Sequence, residues 1–143
     1  MPRYKKLLTL VDLSNDSDSV AQAARDLAAT FGAAIVILHV VEYIPIETMG
    51  ESLMPAVQFE DEMLGGARDR LEKLVARLGL EHAAVRVEAG NTKAEILRVA
   101  ADESADLIVL GSHERHGLAI LLNQTEDTVL HAAHCDVLAI RLK

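Results

Sequence analysis

Short apolar runs alternate with stretches of helical periodicity along the chain, and this alternation constrains the fold more than any other feature. The runs are mostly continuous in hydrophobicity, as expected for strands that are buried on both faces. The predicted strands are residues 7–11, 34–40, 83–87, 106–110 and 137–142. Alternation of this kind predicts an α/β fold, in which parallel strands are joined by right-handed crossovers and helices cover both faces.

Two long stretches of helical periodicity lie in the first half of the chain. The first carries apolar residues at helical spacing from Val20 to Phe31, and Gly32 is a typical helix end. The second is predicted over residues 57–78. Residues 42–55, with two prolines and no clear period, are predicted to be a loop.

The second half of the chain predicts two further helices. Thr92 and Glu95 have the spacing of a capping box, with Thr92 as the predicted cap. Acidic residues in the first turn favour a last helix over residues 125–133. With 143 residues and no linker-like tract, residues 1–143 are predicted to form a single domain.

Composition and charge exclude several classes of protein. Hydrophobic residues make up 50% of the chain but aromatic residues only 3%, so the core is predicted to be aliphatic. The formal net charge of −8 argues against nucleic acid or a membrane surface as a partner. A single cysteine, Cys135, fits a reducing cytosol. The apolar run near the N-terminus stops at Asp12, so it indicates a first strand rather than a signal peptide.

The segment after the fourth predicted strand looks like a loop that holds an anion. It begins at Gly111 and continues to a predicted helix start at Thr125. A strand, a turn and a helix N-terminus together aim backbone N–H groups and the helix dipole at a ligand. Glu114 in the loop and Asn123 at the helix entrance are unusual residues for such a site.

Four segments of the chain together resemble the universal stress protein family: residues 10–14, 38–41, 106–113 and 135–141. The resemblance implies an open five-stranded parallel sheet of order 3-2-1-4-5, an adenine nucleotide alpha hydrolase-like and Rossmann-like fold. It also implies a cytoplasmic homodimer that acts in the stress response. The pairing strand would be the last one, through Val137, Leu138, Ala139, Ile140 and Leu142.

The resemblance also implies a comparison with the members of the family that bind ATP. Those members carry Gly-x-x-Gly, a spacer, and then Gly-Ser or Gly-Thr. The first glycine is Gly111 here, but the second position is Glu114, the third is Asn123, and the hydroxyl position is Gln124, followed by Thr125. Side chains at glycine positions hinder close approach of the backbone to a phosphate, and Glu114 adds negative charge. Weak binding of a triphosphate is therefore expected.

The adenosine side of the family's site is better preserved. Leu10, Val11, Val40 and Leu110 match the apolar walls around the base, and Asp12 matches the acid near the base, ribose and metal. The alternative role for Asp12 is to close a turn or to cap the first helix, as aspartates at strand ends often do.

The resemblance, taken with these departures from the ATP-binding pattern, implies a homodimer that acts in the stress response by binding a protein or a small ligand, with ATP binding weak or lost and no cofactor required. The alternative is a regulator that binds ATP or AMP, with Mg²⁺, through the 111–125 loop and Asp12, and hydrolyses ATP slowly or not at all. An adenylating enzyme is disfavoured because the phosphate loop is incomplete. His131, His134 and Cys135 are expected to be surface histidines beside a core thiol, with no metal and no catalytic residue among them.

Overall fold

The computed structural model describes residues 3–14, 16–42, 53–113, 129 and 131–142, and the side chains of all these except 53–59 and His113. The elements are β1 (Lys6–Leu10), α1 (Ser17–Phe31), β2 (Ala34–Val41), α2 (Leu53–Arg77), β3 (Ala84–Ala89), α3 (Thr92–Asp102), β4 (Leu107–His113) and β5 (Asp136–Leu142). Residues 129, 131 and 132 are also helical. No helix within these ranges is long and apolar enough to span a membrane.

The strands form one 5-stranded sheet in the order β3-β2-β1-β4-β5, and all pairs of neighbouring strands are parallel. This arrangement confirms the predicted α/β fold and its strand order. The order reverses between β2 and β4, on either side of β1. In open parallel sheets, ligands bind beyond the carboxyl ends of the strands at such a reversal.

Each face of the sheet has its own hydrophobic cluster. The α1/α2 face joins alternate residues of the strands to the apolar sides of α1 and α2, including Leu7, Ile37, Val109, Ala24 and Leu71. The α3 face joins the intervening strand residues to α3 and Val129, including Leu8, Leu38, Ile108 and Ile96. Because side chains alternate along a strand, neighbouring residues of one strand serve different faces.

The helices confirm some predicted boundaries and correct others. Gly32 ends α1 with φ of +65°, a left-handed conformation that suits glycine. Helix α2 begins at Leu53, so the predicted loop over residues 42–55 was too long at its far end, and residues 43–52 of it lie outside the described residues. Pro55 is compatible with this start because N–H groups in the first turn of a helix have no partner within it.

Helix α3 is capped one residue earlier than the sequence suggested. Asn91 is the N-cap, and its side chain accepts a hydrogen bond from the backbone N–H of Ala94 at 3.0 Å. Thr92 is the first helical residue, so the predicted capping box was wrong in register. Asparagine is at least as good an N-cap as threonine, and Asn91 lies one residue before the capping-box spacing that pointed to Thr92.

Strand β4 is longer than predicted, because it continues through Gly111 to His113. Its pairing with β5 continues over the same residues, with Gly111 opposite Ile140 and His113 opposite Leu142. The prediction that a flexible turn starts at Gly111 was therefore wrong. Parallel pairing to β5 holds this glycine in extended backbone.

Candidate functional site at the carboxyl ends of β1, β2 and β4

The ends of three adjacent strands bring most of the described candidate residues to one edge of the sheet. Leu10, the last residue of β1, lies opposite Leu38 of β2, and Thr9 lies opposite Val109 of β4. Val40 and Leu110 therefore lie near Leu10 on the two neighbouring strands. The segment from Val11 to Ser14 follows β1 at the same edge.

The predicted apolar wall is divided between the two faces of the sheet. Leu10, Val40 and Leu110 all pack into the α3 face. Val11 belongs to the α1/α2 face and is only 1% exposed. Val11 therefore does not share a face with the other three residues, because successive side chains of extended backbone point to opposite faces, and its predicted place at the base stays a prediction.

Asp12 is held by its own turn. Its Oδ1 accepts hydrogen bonds from the backbone N–H of Ser14 at 2.9 Å, from the Ser14 hydroxyl at 2.6 Å and from the Ser17 hydroxyl at 3.1 Å. A bond from an aspartate to the N–H two residues on is the mark of an Asx turn. The alternative role of closing the turn before α1 is therefore the one that the described contacts support.

Two side chains from other elements bind the backbone on either side of Asp12. The His39 ring, on β2, lies with Nδ1 2.8 Å from the carbonyl oxygen of Val11. Arg70, on α2, donates from Nη2 to the carbonyl oxygen of Leu13 at 2.9 Å. Leu13 itself has φ of +62°, a left-handed conformation that is uncommon for leucine.

Gly111 lies where an added side chain would crowd the packing within the sheet. A Cβ added there would lie 2.5 Å from Cδ1 of Leu142 and 3.0 Å from Cγ2 of Val20. Leu142 is 6% exposed and belongs to the α1/α2 face, so it has little room to move. The glycine thus has a structural reason that involves no phosphate.

The remaining candidates for the phosphate loop are Glu114, Asn123, Gln124 and Thr125, and they all lie outside the described residues. Their predicted effect on triphosphate binding stays a prediction. The same is true of the start of the predicted last helix.

A carboxylate occupies the N-terminus of α3 at this edge. Glu42, directly after β2, accepts the backbone N–H of Thr92 through Oε1 at 2.9 Å. The hydrogen bonds from Thr92 hold the pKa of Glu42 below its ordinary value. The free N–H groups of a helix N-terminus favour an anion, and here the chain supplies one from a neighbouring strand.

Sequence reasoning placed Glu42 at this edge of the sheet but not its contact with α3, and it assigned no role to His39 or Arg70. His39 and Glu42 lie at the carboxyl end of β2, where polar residues next to a buried strand are a usable signal. Arg70 has no such signal, because it is one of several charged residues along α2.

The thiol and the histidines near β5 differ in their exposure to solvent. Cys135 is half-buried against the α3 face, and burial raises the pKa of its thiol, which disfavours the reactive thiolate. His131 and His134 are exposed. Among the described residues, no group of three or more His, Cys, Asp and Glu side chains is arranged to hold a metal ion.

Comparison with known families decides the identity of this fold. The model of the Universal stress protein family matches residues 3–141. The chain therefore belongs to the universal stress protein family. Universal stress protein A homolog 2 of Coxiella burnetii is 35% identical over 144 residues, which cover 100% of this chain and 99% of that protein. A role in the stress response is supported at the level of the family.

Solved structures agree on the fold. A hypothetical protein, MJ0577, superposes with a TM-score of 0.79 at 23% identity, covering 98% of this universal stress protein and 97% of that chain. A universal stress protein solved in complex with cAMP superposes with a TM-score of 0.64 at 20% identity, covering 96% of this chain and 97% of that chain. At these identities the likeness concerns the architecture.

Proposed function

We propose that this universal stress protein acts in the stress response as a cytoplasmic homodimer that binds a protein or a small ligand, and that it binds ATP weakly or not at all. The observation that carries this proposal is the state of Asp12. Its Oδ1 is engaged by the Ser14 and Ser17 hydroxyls and by the Ser14 N–H. A metal or a ribose hydroxyl at that oxygen would have to displace these bonds.

The sequence of the phosphate segment supports the same conclusion. Glu114 and Asn123 stand where the ATP-binding pattern has glycine. Gly111, the one glycine of the pattern that remains, is explained by its contact with Leu142. Among the described residues of the pattern, Gly111 therefore has a packing reason that does not involve a triphosphate, and we propose no catalytic role.

Dimerisation through β5 is supported by the contrast between the two edges of the sheet. On β3, Arg86 and Glu88 form ion pairs with each other and with Glu103 and Arg98 of the α3 region. Charged side chains on an edge strand discourage pairing with another sheet. On β5, Val137, Leu138 and Ile140 are half-buried and Ala139 is exposed, and the charged residues Asp136 and Arg141 lie near the two ends of the strand, so its middle is apolar. Leu142 faces the core and is not available to a partner.

Titration calorimetry with ATP, with and without Mg²⁺, tests the proposal. We expect no binding tighter than about 100 μM, which corresponds to a binding free energy near −5.5 kcal/mol. A triple variant, Glu114→Gly with Asn123→Gly and Gln124→Ser, restores the binding pattern and should bind ATP at least about tenfold more tightly. Micromolar, Mg²⁺-dependent binding by the unaltered protein would overturn the proposal.

A second candidate function is the binding of an adenine mononucleotide such as AMP or cAMP. Leu10, Val40 and Leu110 share one face at the strand ends, where a base would meet apolar side chains. The structural neighbour solved with cAMP indicates that this architecture accommodates a nucleotide with one phosphate. A single phosphate makes smaller demands on the altered glycine positions than a triphosphate does.

The order of nucleotide affinities separates the two candidates. A mononucleotide site should bind AMP or cAMP more tightly than ATP, and should reject GMP used as a control for the base. Equal, weak binding of all four nucleotides favours the first proposal, and tightest binding of ATP contradicts both.

A further inference from the structure

We propose that His39 and Arg70 are positioning residues that clamp the turn carrying Asp12, by holding the backbone carbonyls on either side of it. The importance of this turn for a ligand rests on the proposal that ligands bind at the carboxyl edge. The clamp itself does not rest on that proposal, and it is tested without a ligand.

The first clamp fixes the end of β1. The carbonyl oxygen of Val11 has no hydrogen to donate, so at 2.8 Å the His39 Nδ1 must carry the proton and donate it. The Val11 N–H donates to the carbonyl of Leu38 at 2.9 Å. Strand β2 therefore holds both backbone groups of Val11, one through its backbone and one through an imidazole.

This clamp does not depend on the charge of the histidine. An imidazole carries an Nδ1–H donor both in the tautomer that this contact requires and in the doubly protonated ring. The His39 contact is partly buried, so water competes less for the carbonyl than it would on an open surface.

The second clamp holds a residue whose backbone conformation is unfavourable. Leu13 has φ of +62°, and a non-glycine residue in this region persists only when its surroundings hold it there. Arg70 donates to the Leu13 carbonyl at 2.9 Å from α2. This bond is exposed, and we therefore expect it to contribute less than the His39 bond.

The clamps and the Asx turn together determine the direction of Asp12. Carbonyls 11 and 13 are held from β2 and α2, while the carboxylate is held by Ser14 and Ser17. A ligand that reaches this edge then meets a turn with one conformation. His39 and Arg70 need not touch the ligand, because they act through the backbone of the turn.

Amide hydrogen exchange measured by NMR on the full chain tests the first clamp. The reporter is the Ser14 N–H, which donates to Asp12, and interior amides of β1 and β4 report global stability. Replacing His39 by Leu should speed exchange at Ser14 about fivefold to tenfold beyond any global change, the effect of losing one hydrogen bond. His39→Asn keeps an N–H donor near the Nδ1 position and should restore exchange to within about twofold of the original rate.

Two arginines of α2 provide a matched pair for the second clamp. Arg68 pairs with Glu72 at 3.3 Å on the exposed side of the helix and makes no described contact with the turn. Arg70→Met should speed exchange at Ser14 about twofold to threefold, and Arg68→Met should leave it unchanged. Because Arg70 is exposed, its replacement tests the proposal even if the His39 variants fail to fold.

Three results would overturn the proposal. They are unchanged Ser14 exchange in His39→Leu, equal effects of the two arginine substitutions, and a nitrogen NMR spectrum that places the proton of the neutral His39 ring on Nε2. Titration of AMP into the same variants is a separate measurement. If the unaltered protein binds no AMP, the mononucleotide function is wrong, and the exchange data still decide the clamp.

Discussion

Thr9 is a buried hydroxyl in the middle of the sheet. It is 0% exposed, it lies between Ile37 and Val109 on the neighbouring strands, and its Oγ1 has no hydrogen-bond partner among the described residues. A buried hydroxyl without a partner costs about 1–3 kcal/mol in protein stability. At this position a hydroxyl therefore destabilises the folded state.

Replacing Thr9 by Val keeps the shape of the side chain and removes the hydroxyl, so it should raise the free energy of unfolding by about 1 kcal/mol. Thr9→Ser is the control, because it keeps the hydroxyl and deletes the methyl group, and it should lower stability by about 1 kcal/mol. Urea denaturation measures both. A destabilised Thr9→Val protein would mean that the hydroxyl has a partner outside the described residues.

The glycine at position 111 has two competing explanations, the phosphate-binding pattern in the sequence and its packing against Leu142 in the structure. The Cβ of Gly111→Ala would meet Leu142 at 2.5 Å, and overpacking of this kind costs about 1–3 kcal/mol. In Gly65→Ala the new Cβ meets nothing within 4 Å, and this helix-interior change should stabilise by about 0.5–1 kcal/mol. Combining Gly111→Ala with Leu142→Val should cost less than the sum of the two single changes. Additive costs would show that the Leu142 contact is not the cause.

Residue-scale roles were the least predictable from the sequence. The glycine at 111 fits a phosphate pattern, but its neighbour Leu142 is far along the chain and comes close only through the pairing of β4 with β5. The His39 bond to Val11 likewise needs β1 and β2 to be in register. Patterns in one dimension do not contain such contacts, whereas a local feature such as the end of α1 at Gly32 was predictable.

At the scale of elements, the junction of β2 with α3 makes the protein's stability depend on pH. The Thr92 N–H bond lowers the pKa of Glu42 in the folded state. A carboxyl group with a lowered folded pKa stabilises the protein above its unfolded pKa of about 4.3, and this stabilisation is lost as pH falls through the folded value. Acidification should therefore loosen the N-terminus of α3.

Comparison of Glu42→Gln with the unaltered protein tests this sign. At pH 7 the variant should be less stable by about 0.5 kcal/mol, the size expected for a charge at an exposed helix N-terminus. The difference should shrink towards zero as the pH falls below the unfolded-state pKa and then through the lowered folded-state pKa of Glu42. Glu81→Gln is a control on an exposed glutamate, and at pH 7 it should show a smaller difference in stability than Glu42→Gln. A stability difference between Glu42→Gln and the unaltered protein that grows at acidic pH would contradict the predicted sign.

At the scale of the whole molecule, the sequence predicted the architecture well. Five apolar runs and the helices between them imply parallel strands and right-handed crossovers, and the observed sheet has the order that the family resemblance implied. Element ends were less predictable, as at Leu53 of α2 and His113 of β4, because strand pairing and packing extend elements beyond their local signals. The division of the apolar wall between two faces could have been predicted from the sequence, because side chains alternate between the faces along a strand.

The prediction that the protein forms a dimer depends on the difference between the two edges of the sheet. If β5 pairs with its counterpart in a second copy, sedimentation should give a mass of about twice 15.5 kDa, because an apolar edge strand invites such pairing. Ala139→Asp places a carboxylate on the exposed side of β5, and it should shift the protein to the monomer by repulsion between the two copies. Ala84→Asp makes the same change at an exposed alanine on β3 and should leave the dimer intact. Dissociation by Ala84→Asp alone would place the interface on the opposite edge, and a monomeric unaltered protein would remove dimerisation from the proposed function.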